Sequence, residues 1–333
     1  MIKADKYLKE TISEILENGQ WDKSPRTKWE DGTPAHSKFI TQQVFQYDIS
    51  KGECPINTLR TTALKGAFHD IEAIYIKQTN ILEEMHPSIH SWWKDFTFQK
   101  NDYQEAKIKF DNKLPLCGFN MWTLIENEYK NFDYKSLGQT YGHTVNRYNL
   151  VDKLLKGLEE NPFGRRHKIS LWQEQQVIDD PKALEPCAGL TLWSVRSSAG
   201  AISEKNGLSV KGLQEKRYID IALMQRSQDY ITTSSINSSQ YVMLGMMVCN
   251  HLTFKTGVKH EVGKLLHIVQ NCHIYDRHID SAKEILERKS TGLQPEIRLT
   301  CEPKDFYSHT VDDFEFLNLA GIKKLENKLE IAL

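Results

Sequence analysis

Residues 185–189 read EPCAG, and residues 224–241 read MQRSQDYITTSSINSSQY. A cysteine thiol attacks carbon only as its thiolate, and a neighbouring guanidinium favours that form by lowering the thiol pKa. Cys187 follows a proline, and Arg226, Ser227, Asp229 and Asn237 come later in a β-rich and then polar stretch. Further arginines stand where an anion could be held. Arg165 and Arg166 follow the Pro-Gly turn of NPFGRRH (161–167), and Arg226 ends an alternating run. A guanidinium fork bonds the oxygens of a phosphomonoester two at a time. His273 and Tyr275, spaced i and i+2, share one face of a strand. Two readings stay open on these residues alone. One is a phosphate site with a thiol nucleophile. The other is a buried core cysteine, with a polar pair in the core and arginines in ordinary surface ion pairs.

The elements that must position these residues are legible as periodicities. MIKADKYLKETISEILENGQ places Leu8, Ile12, Ile15 and Leu16 on one helical face, with Gly19 as its stop. FITQQVFQYDI alternates as a strand, after the turn-rich loop at 24–37. Residues 61–82 have helical spacing and carry Asp70 and Glu72. HKISLWQ (167–173), GLTLWSVRS (189–197) and KRYIDIALMQRS (216–227) read as neighbouring strands. A helix over 239–252, a strand over 264–275, an amphipathic helix over 277–289 and a strand at 296–301 follow. Residues 94–135 show weak periodicity and receive no assignment. The pattern is α+β, a large mixed sheet with helices packed on it, in a single domain over 1–333.

Composition narrows the class. Hydrophobic residues make up 39% and charged residues 26%, a globular balance, and 43 basic against 44 acidic residues argue against nucleic acid as the main ligand. The amphipathic start is not a signal peptide, and the apolar run at 241–252 is too short to span a bilayer. Six cysteines without a CxxC pair or zinc spacing point to free thiols, no metal and a cytoplasmic location.

The order RTKW…DGTPAHS, NPFGRRHKISLW, EPC, MQRSxD, INSSQY, CHIYDRHI and KDFY…VDDF resembles thymidylate synthases, over roughly residues 22–93 and 136–333. The resemblance implies that family's mixed-sheet fold and a homodimer through the sheet face. It also implies a pyrimidine nucleotide substrate and 5,10-methylenetetrahydrofolate as one-carbon donor. By position, Cys187 would add to C6 of the ring. Arg26, Arg226 and Ser227 would hold the 5′-phosphate, and Arg165 and Arg166 would reach it across the interface. His273 and Tyr275 would bond the 3′-hydroxyl, Asn237 the base edge, and Gln225 would lie beside the nucleophile. Asp229 would lie between base and folate. Tyr141 would be the site tyrosine, Asp70 would stand for the general-base glutamate, and Trp93 and Leu333 would contact folate.

Departures from the family pattern raise a second outcome. IHSWW (89–93) stands where the family has I-W-D-x-W, so His90 replaces the tryptophan that shields the transferred carbon. An imidazole can hold a water that an indole excludes. Asp70 is one methylene shorter than the usual glutamate, TSSIN (233–237) replaces G-x-PFN, and Gln270-Asn271 replaces G-D. These changes favour 5-hydroxymethylation over reductive methylation, as in phage DNA modification, with location in a host cytoplasm if phage-encoded. Asn237 favours dUMP over dCMP. A non-catalytic nucleotide- or RNA-binding relative is the reading least in keeping with Cys187 and the retained arginines.

Overall fold

The computed structural model describes residues 1–97, 135–174, 184–198 and 215–332. Most of the unassigned 94–135 segment and Leu333 lie outside these residues. The first helix, α1 (Lys3–Asn18), buries Leu8, Ile12 and Ile15 and ends at Gly19, as its spacing predicts. Short β1 (Gln20–Trp21) leads through the turn-rich loop to β2 (Ser37–Asp48). Helix α2 (Leu64–Ile71) carries Asp70. It runs into a π turn at Glu72–Ile76 and stops at Gln78, whose φ of 54° is left-handed. The helical periodicity read over 61–82 therefore breaks where the backbone changes hand.

After the four-residue α3 (His90–Trp93), the chain forms α4 (Gly142–Arg147), α5 (Leu150–Glu160) and β3 (Lys168–Ser170). Then β4 (Ala188–Ser197) and β5 (Lys216–Asp229) precede α6 (Tyr230–Thr256) and β6 (Lys259–Tyr275). A last helix, α7 (Ile279–Glu287), and the hairpin-like pair β7 (Glu296–Leu299) and β8 (Phe314–Leu317) complete the fold. The main sheet runs β1-β2-β6-β5-β4-β3. Among the described residues only β5 and β6 pair in parallel. A parallel pair needs a long crossover, and α6 supplies it.

That helix is wider than the 239–252 read from sequence, because Asp229 caps its start and left-handed Gly257 ends it. Sixteen of its 27 residues are buried, so it threads the core rather than lying on the surface. No helix among the described residues is long and apolar enough to cross a membrane. The sheet has two unlike faces. Phe45, His267, Leu223 and Thr191 face the core. In the adjacent register, Val44, Ile268, Met224 and Leu190 form a row across four strands. Of these, Val44 is 54% and Met224 42% exposed.

Candidate active site

Cys187 stands one residue before β4, half-buried. The Arg226 backbone N–H donates to the Cys187 carbonyl at 2.9 Å. The Arg226 guanidinium donates to the carbonyls of Glu185 (2.8 Å) and Pro186 (3.3 Å). The arginine thus braces the turn that presents the thiol. Its charge does not win at the sulfur, however. Burial pushes the Cys187 thiol up, and Arg226 and Arg26 offset that only in part. Arg226 does pull the thiol pKa down, as expected of a neighbouring guanidinium, but desolvation outweighs the two cations.

On the other side of the thiol, the Cys187 backbone N–H donates to the phenol oxygen of Tyr141 at 3.2 Å. Tyr141 is buried with a left-handed φ of 46°, a conformation that a bulky side chain holds only under strain. Gly142 explains how it is held. A Cβ there would lie 2.1 Å from the Thr79 carbonyl oxygen, so the backbones touch where no side chain fits.

Tyr141 packs edge-on against Trp93, with ring centroids 5.2 Å apart. The Trp93 indole N–H donates to Asp70 Oδ1 at 2.7 Å, and Gln240 Nε2 donates to Asp70 Oδ2 at 2.7 Å. Burial pushes the Asp70 carboxyl up to about 6, against the pull of those two hydrogen bonds. The tryptophan beside the candidate base is therefore Trp93. His90, one helical turn earlier, is half-buried and turns Nε2 to the Met85 carbonyl at 3.2 Å. His90 and Trp93 thus stand at the two ends of the short α3, and it is the retained Trp93 that bonds Asp70.

Asn237, on the second turn of α6, lies at the centre of a polar chain. Its Oδ1 accepts from Gln225 Nε2 (3.2 Å) and Gln228 Nε2 (3.3 Å), and its Nδ2 donates to Gln240 Oε1 (3.0 Å). Gln225 Oε1 lies 2.8 Å from His267 Nε2, and Ser238 Oγ lies 2.9 Å from His267 Nδ1. Burial drives the His267 pKa down to about 3, so the ring is neutral and its Nε2–H donates to Gln225. Gln228, Gln240 and His267 were not singled out from the sequence. The only available signal was two glutamines flanking Asn237 in a polar stretch, and that says nothing of direction. Asn271 Oδ1 pairs with His273 Nδ1 at 3.0 Å.

The remaining candidates gather at the C-terminal ends of β5 and β6, where Asp229 and His273 are register partners. Asp229 caps α6 through Thr232 and lies 3.6 Å from His278 Nδ1. Burial opposes its charge, but His278, His273 and Thr232 hold the carboxyl below the usual range. His273 and Tyr275 meet edge to face at 4.9 Å, as their spacing predicts. Trp29 packs on Tyr275 and anchors the loop that carries Arg26, and Arg26 acts electrostatically on both Tyr275 and Cys187. Ser227 is half-buried on β5, paired in register with Asn271. Arg165 and Arg166 are exposed on the turn between α5 and β3. Among the described residues no His, Cys, Asp and Glu cluster is arranged to hold a metal ion.

A thiol, a buried carboxyl near neutrality, a fixed amide and a set of arginines are the parts of covalent catalysis on an anionic substrate. The chain belongs to the thymidylate synthase family, and that family's profile, "Thymidylate synthase", matches residues 5–331. It is 33% identical over 336 residues to thymidylate synthase of Streptococcus thermophilus, with both chains covered completely. Thymidylate synthase of Streptococcus pneumoniae is also 33% identical over 336 residues, with the same coverage. Thermostable thymidylate synthase A from Bacillus subtilis superposes with a TM-score of 0.71 at 26% identity, covering 99% of each chain. The protein is an enzyme of this family, a one-carbon transferase.

Proposed function

We propose that this enzyme methylates dUMP at C5, with 5,10-methylenetetrahydrofolate supplying the one-carbon unit and the hydride. The observation that carries the reading is the wall formed by Asp70, Trp93 and Tyr141, a large indole fixed at its N–H and on its edge beside the nucleophile's turn. A flat, half-buried indole suits a pterin ring and excludes water from the transferred carbon. Cys187 is the nucleophile toward C6. Burial raises its thiol pKa, so the thiol passes its proton to solvent as the sulfur adds to C6. Asp70, with its pKa near neutrality, is suited to move protons at the ring. Arg26, Arg226 and Ser227 hold the 5′-phosphate, His273 and Tyr275 the 3′-hydroxyl, and Asn237 the base edge. Asp229 lies at the base–folate side, and Leu333, outside the described residues, is assigned to folate binding.

The second reading is 5-hydroxymethylation of dUMP or dCMP. It is favoured by the half-buried imidazole of His90 on the same short helix as Trp93, where a water could be bonded. We further propose a homodimer through the apolar row of Val44, Ile268, Met224 and Leu190, with Arg165 and Arg166 serving the partner's phosphate. The exposure of Val44, Met224 and Leu192 on the sheet supports this.

One experiment separates the chemistries. Purified enzyme is incubated with the folate donor and either dUMP or dCMP, and the product mass and dihydrofolate absorbance are followed. The methylation reading requires 5-methyl product from dUMP with one dihydrofolate formed per turnover. A 5-hydroxymethyl product without dihydrofolate overturns it and establishes the second reading. In that case His90→Trp should suppress the hydroxymethyl product.

A further inference from the structure

The Asn237 amide is pinned from two directions by groups that can act in only one way. Gln225 Nε2 donates to the Ser227 backbone carbonyl at 2.9 Å, and a carbonyl only accepts. Gln225 must therefore present its N–H₂ to that side, and the same nitrogen meets Asn237 Oδ1. That leaves Gln225 Oε1 toward His267 Nε2, which as the neutral Nε2–H tautomer donates to it. At the other end, Gln240 Nε2 faces the Ala67 carbonyl at 3.4 Å and Asp70 Oδ2 at 2.7 Å. Gln240 must turn Oε1 the other way, where it accepts from Asn237 Nδ2. The two constraints agree, with the Asn237 oxygen toward Gln225 and its N–H₂ toward Gln240.

One Nδ2 hydrogen is used on Gln240, so the second is the donor left for a base. Uracil presents an acceptor, O4, where cytosine presents an amino donor. We propose that Gln240 is the specificity-positioning residue of this enzyme, locking the Asn237 amide against cytosine and joining it to the carboxyl of Asp70. Gln240 is 4% exposed. It sits one turn beyond Asn237 on α6, and Asp70 approaches from α2. The hydrogen bonds thus run continuously from the base-edge amide to Asp70 and then to Trp93. The titratable groups facing Asp70 are the phenols of Tyr75, Tyr141 and Tyr241, all pushed upward by burial and so neutral at working pH.

This inference rests on the dUMP reading, and its test separates the two. Binding and kcat/KM for dUMP and dCMP are measured on the native enzyme, Gln240→Leu and Gln240→Glu, with pH profiles for each. The native enzyme must prefer dUMP, and preference for dCMP overturns the substrate reading and the inference with it. Given native dUMP preference, Gln240→Leu should lower the dUMP-to-dCMP ratio at least about tenfold. It should also move the acid limb of the profile upward, since the Asp70 carboxylate loses a donor. Gln240→Glu keeps the acceptor toward Asn237 but sets a carboxyl against Asp70. It should retain most of the nucleotide discrimination while the acid limb shifts. Equal losses for both nucleotides, with an unmoved ratio and limb, would mean that Gln240 only fills space. Should the leucine variant fail to fold, an unchanged limb in the glutamate variant overturns the proposal equally.

Discussion

Trp93 and Asp70 make the residue-scale argument quantitative. A hydrogen bond to a charged acceptor contributes about 1.5–3 kcal/mol, which is about one to two pH units for the group that accepts it. Asp70 rests at about 6, above its ordinary value of 3.8, because burial outweighs its two donors. As a base it works only when ionised, so kcat/KM should rise with pH through about 6. Trp93→Phe keeps an aromatic ring against Tyr141 but removes the donor, and should move that rise upward by about one unit. A limb that stays in place would show that Asp70 is not the group titrating. The same raised value means that the folded chain holds this proton more tightly than the unfolded one. Asp70 therefore makes folding less favourable as pH rises from about 4 to about 6.

Between elements, the junction of β5, α6 and β6 turns on one neutral histidine. His267 on β6 joins Ser238 of α6 to Gln225 of β5 and is fully buried. Its folded pKa of about 3 lies below the ordinary 6.5, so the unfolded state takes the proton first. The stability it supports is present above pH 6.5 and is lost as pH falls from there toward 3. His267→Gln keeps one donor and one acceptor without a titrating ring. It should cost under about 2 kcal/mol at pH 8 and move the acid-unfolding midpoint to lower pH, read by circular dichroism. An unchanged midpoint would place acid sensitivity elsewhere. The elements themselves were largely visible in the sequence. Apolar spacing gave α1 and α7 nearly to their ends, and alternation gave β2, β4 and β5. The extent of α6 was underestimated because its first turns, ITTSSINSS, are polar and become buried only through the site they line.

For the whole molecule, the open question of assembly has a direct measurement. Val44→Glu places a carboxylate in the apolar row of the sheet and should shift the protein toward monomer by sedimentation, with activity falling in parallel. An active monomer would exclude a shared site. If Arg165 and Arg166 do act across the interface, mixing Cys187→Ala with Arg166→Ala subunits should restore up to about a quarter of native activity, because half of the mixed population carries one intact site.

The sequence by itself determined the class of fold, the family, and most of the residues that meet at the site, because periodicity and ordered motifs are written along the chain. His273 and Tyr275 meet as their spacing predicts, and Arg226 braces the turn before Cys187. Only the tertiary structure decided how those groups are tuned. Burial overrules the arginines at Cys187, the Trp93 indole bonds Asp70, and Gln240 reaches a carboxyl 170 residues away in sequence. Desolvation and hydrogen-bond direction depend on which distant groups share a small volume, and no local pattern of residue types encodes that.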